Sequence, residues 1–166
     1  MRLLCDNASE DIPHISIVPK RKLYENRAGK AIQVVRKLFP GYVLVETNYV
    51  LELFILTRHC EKLLRLIPSR NCFKEIDLEE IQTIIQMTDS EGIIDFSQIV
   101  INENHITVLS GPLLRYTGFV YKINRHKKRA KIKLNLNSNE NLIDIGVDIF
   151  EQYDSNNNEH QIYFKQ

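Results

Sequence analysis

Residues 119–134 read FVYKINRHKKRAKIKL. Phe119, Tyr121 and Ile123 share one parity, and Ala130, Ile132 and Leu134 form a second alternating set beyond the charged turn. Successive side chains on a strand point to opposite faces, so a period of two on both sides of residues 124–128 predicts a β-hairpin. On that parity Tyr121 faces the core with Ile123, and the cations fall on the tip and the outward faces. From Ile123 to Leu134 there are six Lys or Arg residues and no carboxylate. Ile106 and Val108 before the hairpin, and Leu142, Ile143, Ile145 and Val147 after it, supply further short strands. Together they make a small all-β module.

The chain upstream is different. Ile15 and Ile17 form a strand ending at Pro19, Ile32 and Val34 follow the Gly29 turn, and Tyr42 to Thr47 is a strand after Pro40-Gly41. Tyr49 to Arg58 is a short apolar helix. A second helix begins at Asp77, whose carboxylate caps it with Glu80 three residues on; its stripe is Leu78, Ile81, Ile84 and Ile85, and Asp89-Ser90-Glu91-Gly92 ends it. The fold class is α+β. The division is 1–90 as an α+β domain, 91–103 as linker and 104–166 as a β-barrel-like domain with a frayed tail at Ser155 to Asn158.

Charge is local rather than global. The chain of 166 residues has a formal charge of +1 and 43% hydrophobic residues, enough for packed cores. From Leu113 to Lys133 there are eight Lys or Arg and no acid, whereas Asn139 to Asp154 holds five acids and no Lys or Arg. A basic block of this kind is either a solvated hairpin that guards a sheet edge or a nucleic-acid surface. Three cysteines, Cys5, Cys60 and Cys72, form no C-x-x-C pair and fit a reducing, cytoplasmic setting. The apolar run from Tyr49 to Thr57 is broken by Glu52 and is too short to span a bilayer, and the acidic N-terminus is no secretory signal.

Catalysis finds no support in these residues. No Gly-Lys-Ser or Gly-Lys-Thr follows Gly111 and Gly118, Ser110-Gly111 lacks the glycine a nucleophile elbow needs, and His59-Cys60 are adjacent rather than on one helix face. The histidines His14, His105, His126 and His160 lack ligand spacing, so no metal or cofactor is expected. In Tyr42-Val43-Leu44-Val45 both strand faces are apolar. Tyr42 and Leu44 are either core or an exposed docking patch. Gly118 is read as a backbone necessity of the barrel and Gly111-Pro112 as a turn before it.

Val18-Pro19 with the basic hairpin after it, then Leu38-Phe39-Pro40-Gly41-Tyr42-Val43-Leu44-Val45, resembles the N-terminal domain of NusG-type transcription elongation factors. Val108-Leu109-Ser110-Gly111-Pro112-Leu113 followed by Thr117-Gly118-Phe119-Val120 resembles the KOW motif of their C-terminal domain. Residues 125–130 further resemble the LoaP subgroup of specialised, antiterminating paralogues. The resemblance runs from about Ile15 to Phe150 and implies an N-terminal antiparallel sheet with helices and a C-terminal SH3-like barrel. Family members begin with a strand and a long helix that Met1 to Cys5 match only at their end, so a clipped start is expected.

The resemblance implies contact with the clamp helices of RNA polymerase through Phe39, Pro40, Tyr42 and Leu44. It also makes the basic hairpin a surface for a nascent leader RNA hairpin. Arg115, Tyr116, Lys122, Asn124, Arg125, His126, Lys127, Lys128, Arg129 and Lys131 are its candidate residues, with cations for phosphates and Tyr116 for stacking. A general NusG factor whose KOW domain recruits transcription or ribosomal proteins, and a stand-alone KOW RNA-binding protein, are the alternatives.

Overall fold

Ile15–Ile17 (β1) and Leu44–Glu46 (β4) pair antiparallel, with Ile17 opposite Leu44, in a computed structural model that describes residues 12–58, 68–69, 72–73, 76–102, 105–136 and 139–150. The readings of Met1 to Cys5, of His59-Cys60 and of the tail at Ser155 to Asn158 lie outside those residues. The chain forms two compact units. One takes residues 1–18 and 41–76, the other residues 19–40 and 77–166. In the first, Thr47 donates its hydroxyl to the Pro13 carbonyl (2.9 Å) and accepts the Tyr49 amide (3.1 Å), which fixes the start of the helix Val50–Arg58 (α1). Leu44 and Leu53 are buried there. A two-residue pair, Pro68–Ser69 (β5) with Cys72–Phe73 (β6), completes it.

In the second unit Lys20–Arg27 (β2) and Lys30–Lys37 (β3) make a regular hairpin. Its two-residue turn puts Ala28 and Gly29 at φ 49° and 79°, the left-handed values that a type I′ turn demands. The start of β2 also runs parallel to Ile93–Ile94 (β7). Leu78–Met87 (α2) begins where predicted, the Asp77 carboxylate accepting the Glu79 amide at 3.3 Å. The remaining strands are Ser97–Asn102 (β8), His105–Ser110 (β9), Val120–Asn124 (β10), Arg129–Leu136 (β11) and Asn139–Phe150 (β12). They form one curled sheet in the order β10-β11-β12-β8-β9. Two short 3-10 turns, Pro112–Arg115 and Thr117–Phe119, carry the chain from one edge of it to the other.

The core of this unit is the inward alternation of β11 and β12. Ala130, Ile132 and Leu134 face Ile143, Ile145 and Val147, all at most 5% exposed, and Ile84 and Met87 of α2 pack in the same cluster. Each of the Ile, Leu, Val and Met side chains contributes about 1.5–3 kcal/mol through burial. The buried Ser97 hydroxyl accepts the Leu113 amide at 3.0 Å, so its burial leaves no stranded polar group.

The α+β mixture matches expectation, and several details differ from it. The sheets are mixed rather than antiparallel, since β2 lies parallel to β7 and β12 parallel to β8. The five-stranded sheet keeps two edges and is a half-barrel. Residues 91–103, expected as linker, hold β7 and β8, because Ile94, Ile99 and Val100 carry enough apolar surface to be drawn into the core. The β2–β3 hairpin and α2 belong to the unit of the C-terminal sheet.

Tyr121 is exposed at 59%, not core. The β10–β11 register shifts between Val120 and Lys122, and this bulge inserts one residue. Val120 and Ile123 therefore pack on the core while Tyr121 turns out. The expected need for glycine at Gly118 is also absent, for its φ is not left-handed and open space surrounds it. The demanding glycine of the motif is Gly111, at φ 93°, where a Cβ would stand 2.7 Å from the Phe96 carbonyl.

Gly146 on β12 sets the approach of β2. A Cβ there would fall 2.5 Å from the Lys22 carbonyl and against the Phe96 ring. Gly146→Ala is expected to destabilise by about 1–3 kcal/mol. Thermal unfolding should show this as a Tm loss of roughly 2–4 °C per kcal/mol in a chain of this size, and an unchanged Tm would mean that β2 does not press on β12.

Candidate nucleic-acid interface

The turn joining β10 to β11 is built by Asn124. Its side-chain oxygen accepts the Lys127 amide at 2.9 Å, and the Lys128 amide reaches the Arg125 carbonyl at 3.2 Å. Asn124 thus serves the turn with its acceptor group and positions its neighbours. Lys128 sits at φ 49°, a left-handed value that costs a side-chain-bearing residue about 1–2 kcal/mol. Its ammonium lies 5.0 Å from the centre of the Tyr24 ring, within the range of a cation–π contact. Arg125, His126 and Lys127 project from this fixed turn and are exposed.

The cations of β11 itself are neutralised. Asp144, directly across from Lys131 in the ladder, accepts the Lys131 ammonium at 2.8 Å and the Arg129 guanidinium at 3.4 Å. Lys133 pairs with Glu140 at 3.0 Å. Burial works to raise the Asp144 carboxyl, but the hydrogen bond and charge of Lys131, with Arg129 behind it, outweigh burial and hold it below the ordinary aspartate value. Arg129 also donates to the Tyr24 carbonyl at 3.3 Å, and Arg21 to the Asp144 carbonyl at 2.8 Å. Among the described residues no ion pair involves Arg115, Lys122, Arg125 or Lys127. The basic block therefore divides into a paired strand and an unpaired turn.

Tyr116, the ring expected to stack, is half-buried. It donates its hydroxyl to Gln86 at 2.6 Å and meets Phe119 edge-on at 5.8 Å. Tyr121 is the open ring, with the Lys133 ammonium 4.9 Å from its centre. Parity counting passes over Tyr121 because a bulge leaves no mark in the alternation. Arg115 stands exposed at the end of its 3-10 turn, and Lys122 is exposed opposite Lys131.

The expected polymerase residues fall in both units. Phe39 packs partly buried on the core of the second unit and Pro40 ends that segment, exposed. Tyr42 and Leu44 belong to the first unit, Tyr42 half exposed and Leu44 at 9%. Leu44 is thus core, paired with Ile17, while Val43 and Val45 are the exposed members of that strand region. Among the described residues no cluster of His, Cys, Asp or Glu could hold a metal, and no helix is long and apolar enough to cross a membrane.

The profile of the NusG family, described as transcription termination factor nusG, matches residues 4–85. The chain is similar to that family over just under half of its length. It is 26% identical over 120 residues to the transcription termination/antitermination protein NusG of Rickettsia bellii, a match covering 72% of this chain and 63% of that one. The NusG of Halalkalibacterium halodurans is 27% identical over 135 residues, covering 78% and 74%. That of Staphylococcus epidermidis is 26% identical over 150 residues, covering 88% and 81%. The NusG-matched segment includes the β2–β3 hairpin and most of α2, the elements that pack with the C-terminal sheet.

Asp144 carries the pairing of this surface, and its effect has a definite pH window. A carboxyl whose folded value is depressed stabilises above its unfolded value, near 3.9, and loses that contribution as pH falls through the folded one. Asp144→Asn is expected to cost about 1–3 kcal/mol at neutral pH, with the wild-type and variant urea-unfolding curves converging as pH falls through the folded value of the Asp144 carboxyl.

Proposed function

We propose that the protein is a specialised NusG-type processive antiterminator. It binds RNA polymerase through its N-terminal region and a leader RNA hairpin through the basic turn of its KOW domain, and it acts in the cytoplasm where both are found. The observation that carries this reading is the contrast within the basic block, where Arg129, Lys131 and Lys133 are paired to carboxylates and the exposed turn from Arg125 to Lys127 is not. Evolving a fixed turn around Asn124 to present unpaired cations fits a polyanion better than solvent. Arg125 and His126 suit an exposed loop base, and Lys122, Lys127 and Lys128 suit phosphates. Tyr121 adds an open aromatic ring on the same hairpin. The match to the NusG family supports the transcriptional setting.

No bond is made or broken in this mechanism. A factor shifts polymerase between pausing and elongating states only by its differential affinity for the two, and RNA binding adds a second attachment that raises its local concentration. The exposed Tyr42 and Val43 of the first unit are the apolar contacts assigned to polymerase.

A general NusG factor with a protein-recruiting KOW domain is the second reading. The exposed Leu109 and Leu142 on the C-terminal sheet, with Phe119 on the turn before β10, favour it.

With the full chain, a stem-loop RNA is expected to bind more tightly than an unstructured RNA of equal length in a gel shift. Arg125→Ala with Lys127→Ala should weaken stem-loop binding about tenfold or more and flatten the log–log salt slope by about one per lost phosphate contact. Equal, weak binding to both RNAs would favour the protein-recruiting reading. In a pull-down with bacterial RNA polymerase, Tyr42→Asp should abolish retention at unchanged Tm, and full retention would remove this surface from the polymerase contact.

A further inference from the structure

We infer that the β2–β3 hairpin forms the second half of the RNA-binding surface, gripping phosphates beside the β10–β11 turn. The inference rests on the reading that the ligand is RNA. Residues 20–37 hold seven Lys or Arg and one acid, Glu25. Their arrangement is unfavourable for the protein alone. The register sets Lys20 opposite Lys37, Arg21 opposite Arg36 and Arg27 opposite Lys30, three like-charge cross-strand pairs in one hairpin. Like charges directly opposite on a ladder repel and destabilise it.

Internal pairing relieves only part of this. Arg21 is tied to the Asp144 carbonyl, Lys22 to Asp95 at 2.8 Å, and Arg36 grips Glu25 with two bonds of 2.7 and 2.6 Å. Arg27 sits at 3.7 Å from the same, already engaged Glu25 and is 61% exposed. Among the described residues Lys20, Lys30 and Lys37 make no ion pair. The type I′ turn at Ala28-Gly29 holds Arg27 and Lys30 side by side at a stiff tip.

The hairpin is also fused to the basic turn. Tyr24, midway along β2, stacks on Phe96 with centroids 4.5 Å apart and donates its hydroxyl to Asp148 at 3.0 Å. Its ring receives the Lys128 ammonium and its carbonyl the Arg129 guanidinium. Lys20 and Lys37 share the face of the hairpin that carries Tyr24, the residue that meets Lys128, and Arg27 and Lys30 stand at its tip. An eight-residue strand is about 26 Å long, so cations at its two ends match a ligand whose charge is spread along its length. Lysines acting as point charges serve phosphates and fix position, whereas Arg125 and His126 of the turn serve bases. The two hairpins then divide affinity from selectivity.

The test uses the full chain, a 25-nucleotide stem-loop RNA and an unstructured poly(U) of about equal length as probes. The triple variant Arg27→Ala, Lys30→Ala and Lys37→Ala is expected to lose about tenfold or more in affinity for both RNAs. Its salt slope should fall by about two to three, its preference for the stem-loop should persist, and its Tm should hold or rise as repulsion is removed. The variant Lys30→Arg with Lys37→Arg should bind as the wild type. Unchanged affinity and slope in the triple variant, with binding lost in Arg125→Ala and Lys127→Ala, would overturn the inference and leave the proposed function standing. No binding of either RNA by the wild type would overturn both.

Discussion

The missing side chain at Gly146 allows the Lys22 carbonyl to lie against β12, and the rest of the second unit depends on that approach. With the backbones close, Arg21 reaches the Asp144 carbonyl, Arg129 reaches the Tyr24 carbonyl, and Tyr24 spans from Phe96 to Asp148. Asp144 sits at the centre, its carboxylate taken by β11 and its carbonyl by β2. Two guanidinium groups beside one carboxylate are costly, and burial presses Arg21 below its ordinary value despite the pull of Asp144. The Nε atoms of Arg21 and Arg129 are buried without a partner among the described residues. Packing of Tyr24 on Phe96 and the apolar core beneath β11 and β12 offset that cost.

Local elements were legible in the sequence, and long-range ones were not. The alternation of Ala130, Ile132 and Leu134 located β11, the Asp77 cap located α2, and the Gly29 turn located the β2–β3 hairpin. Each signal is written within a few residues. The placement of that hairpin with the C-terminal sheet depends on contacts between residues more than 100 apart, and no periodicity encodes them. Tyr121 was misread because a bulge changes parity without changing composition. Leu44 was open between core and surface from an all-apolar strand, and its partner Ile17 decides for core.

Within the candidate site, the sequence identified the cations but not their partners. Both the acidic segment and the basic one were visible as runs, yet which acid meets which base follows from register alone. The ladder commits Asp144 to Lys131 and leaves the turn beyond its reach. The separation of a neutral strand from a charged turn is therefore a property of strand pairing rather than of composition.

The strand order has a further consequence for biosynthesis. β12 follows every other described element in the chain, yet it is the central strand, flanked by β11 and by β8. Until it has emerged from the ribosome, β8–β9 and β10–β11 share no sheet, and β2 has only β7 to pair with besides β3. The unit thus closes only once its last described strand is in place. Assembly of this kind, with many distant pairings closing together, is slow and leaves unpaired edges open to mispairing.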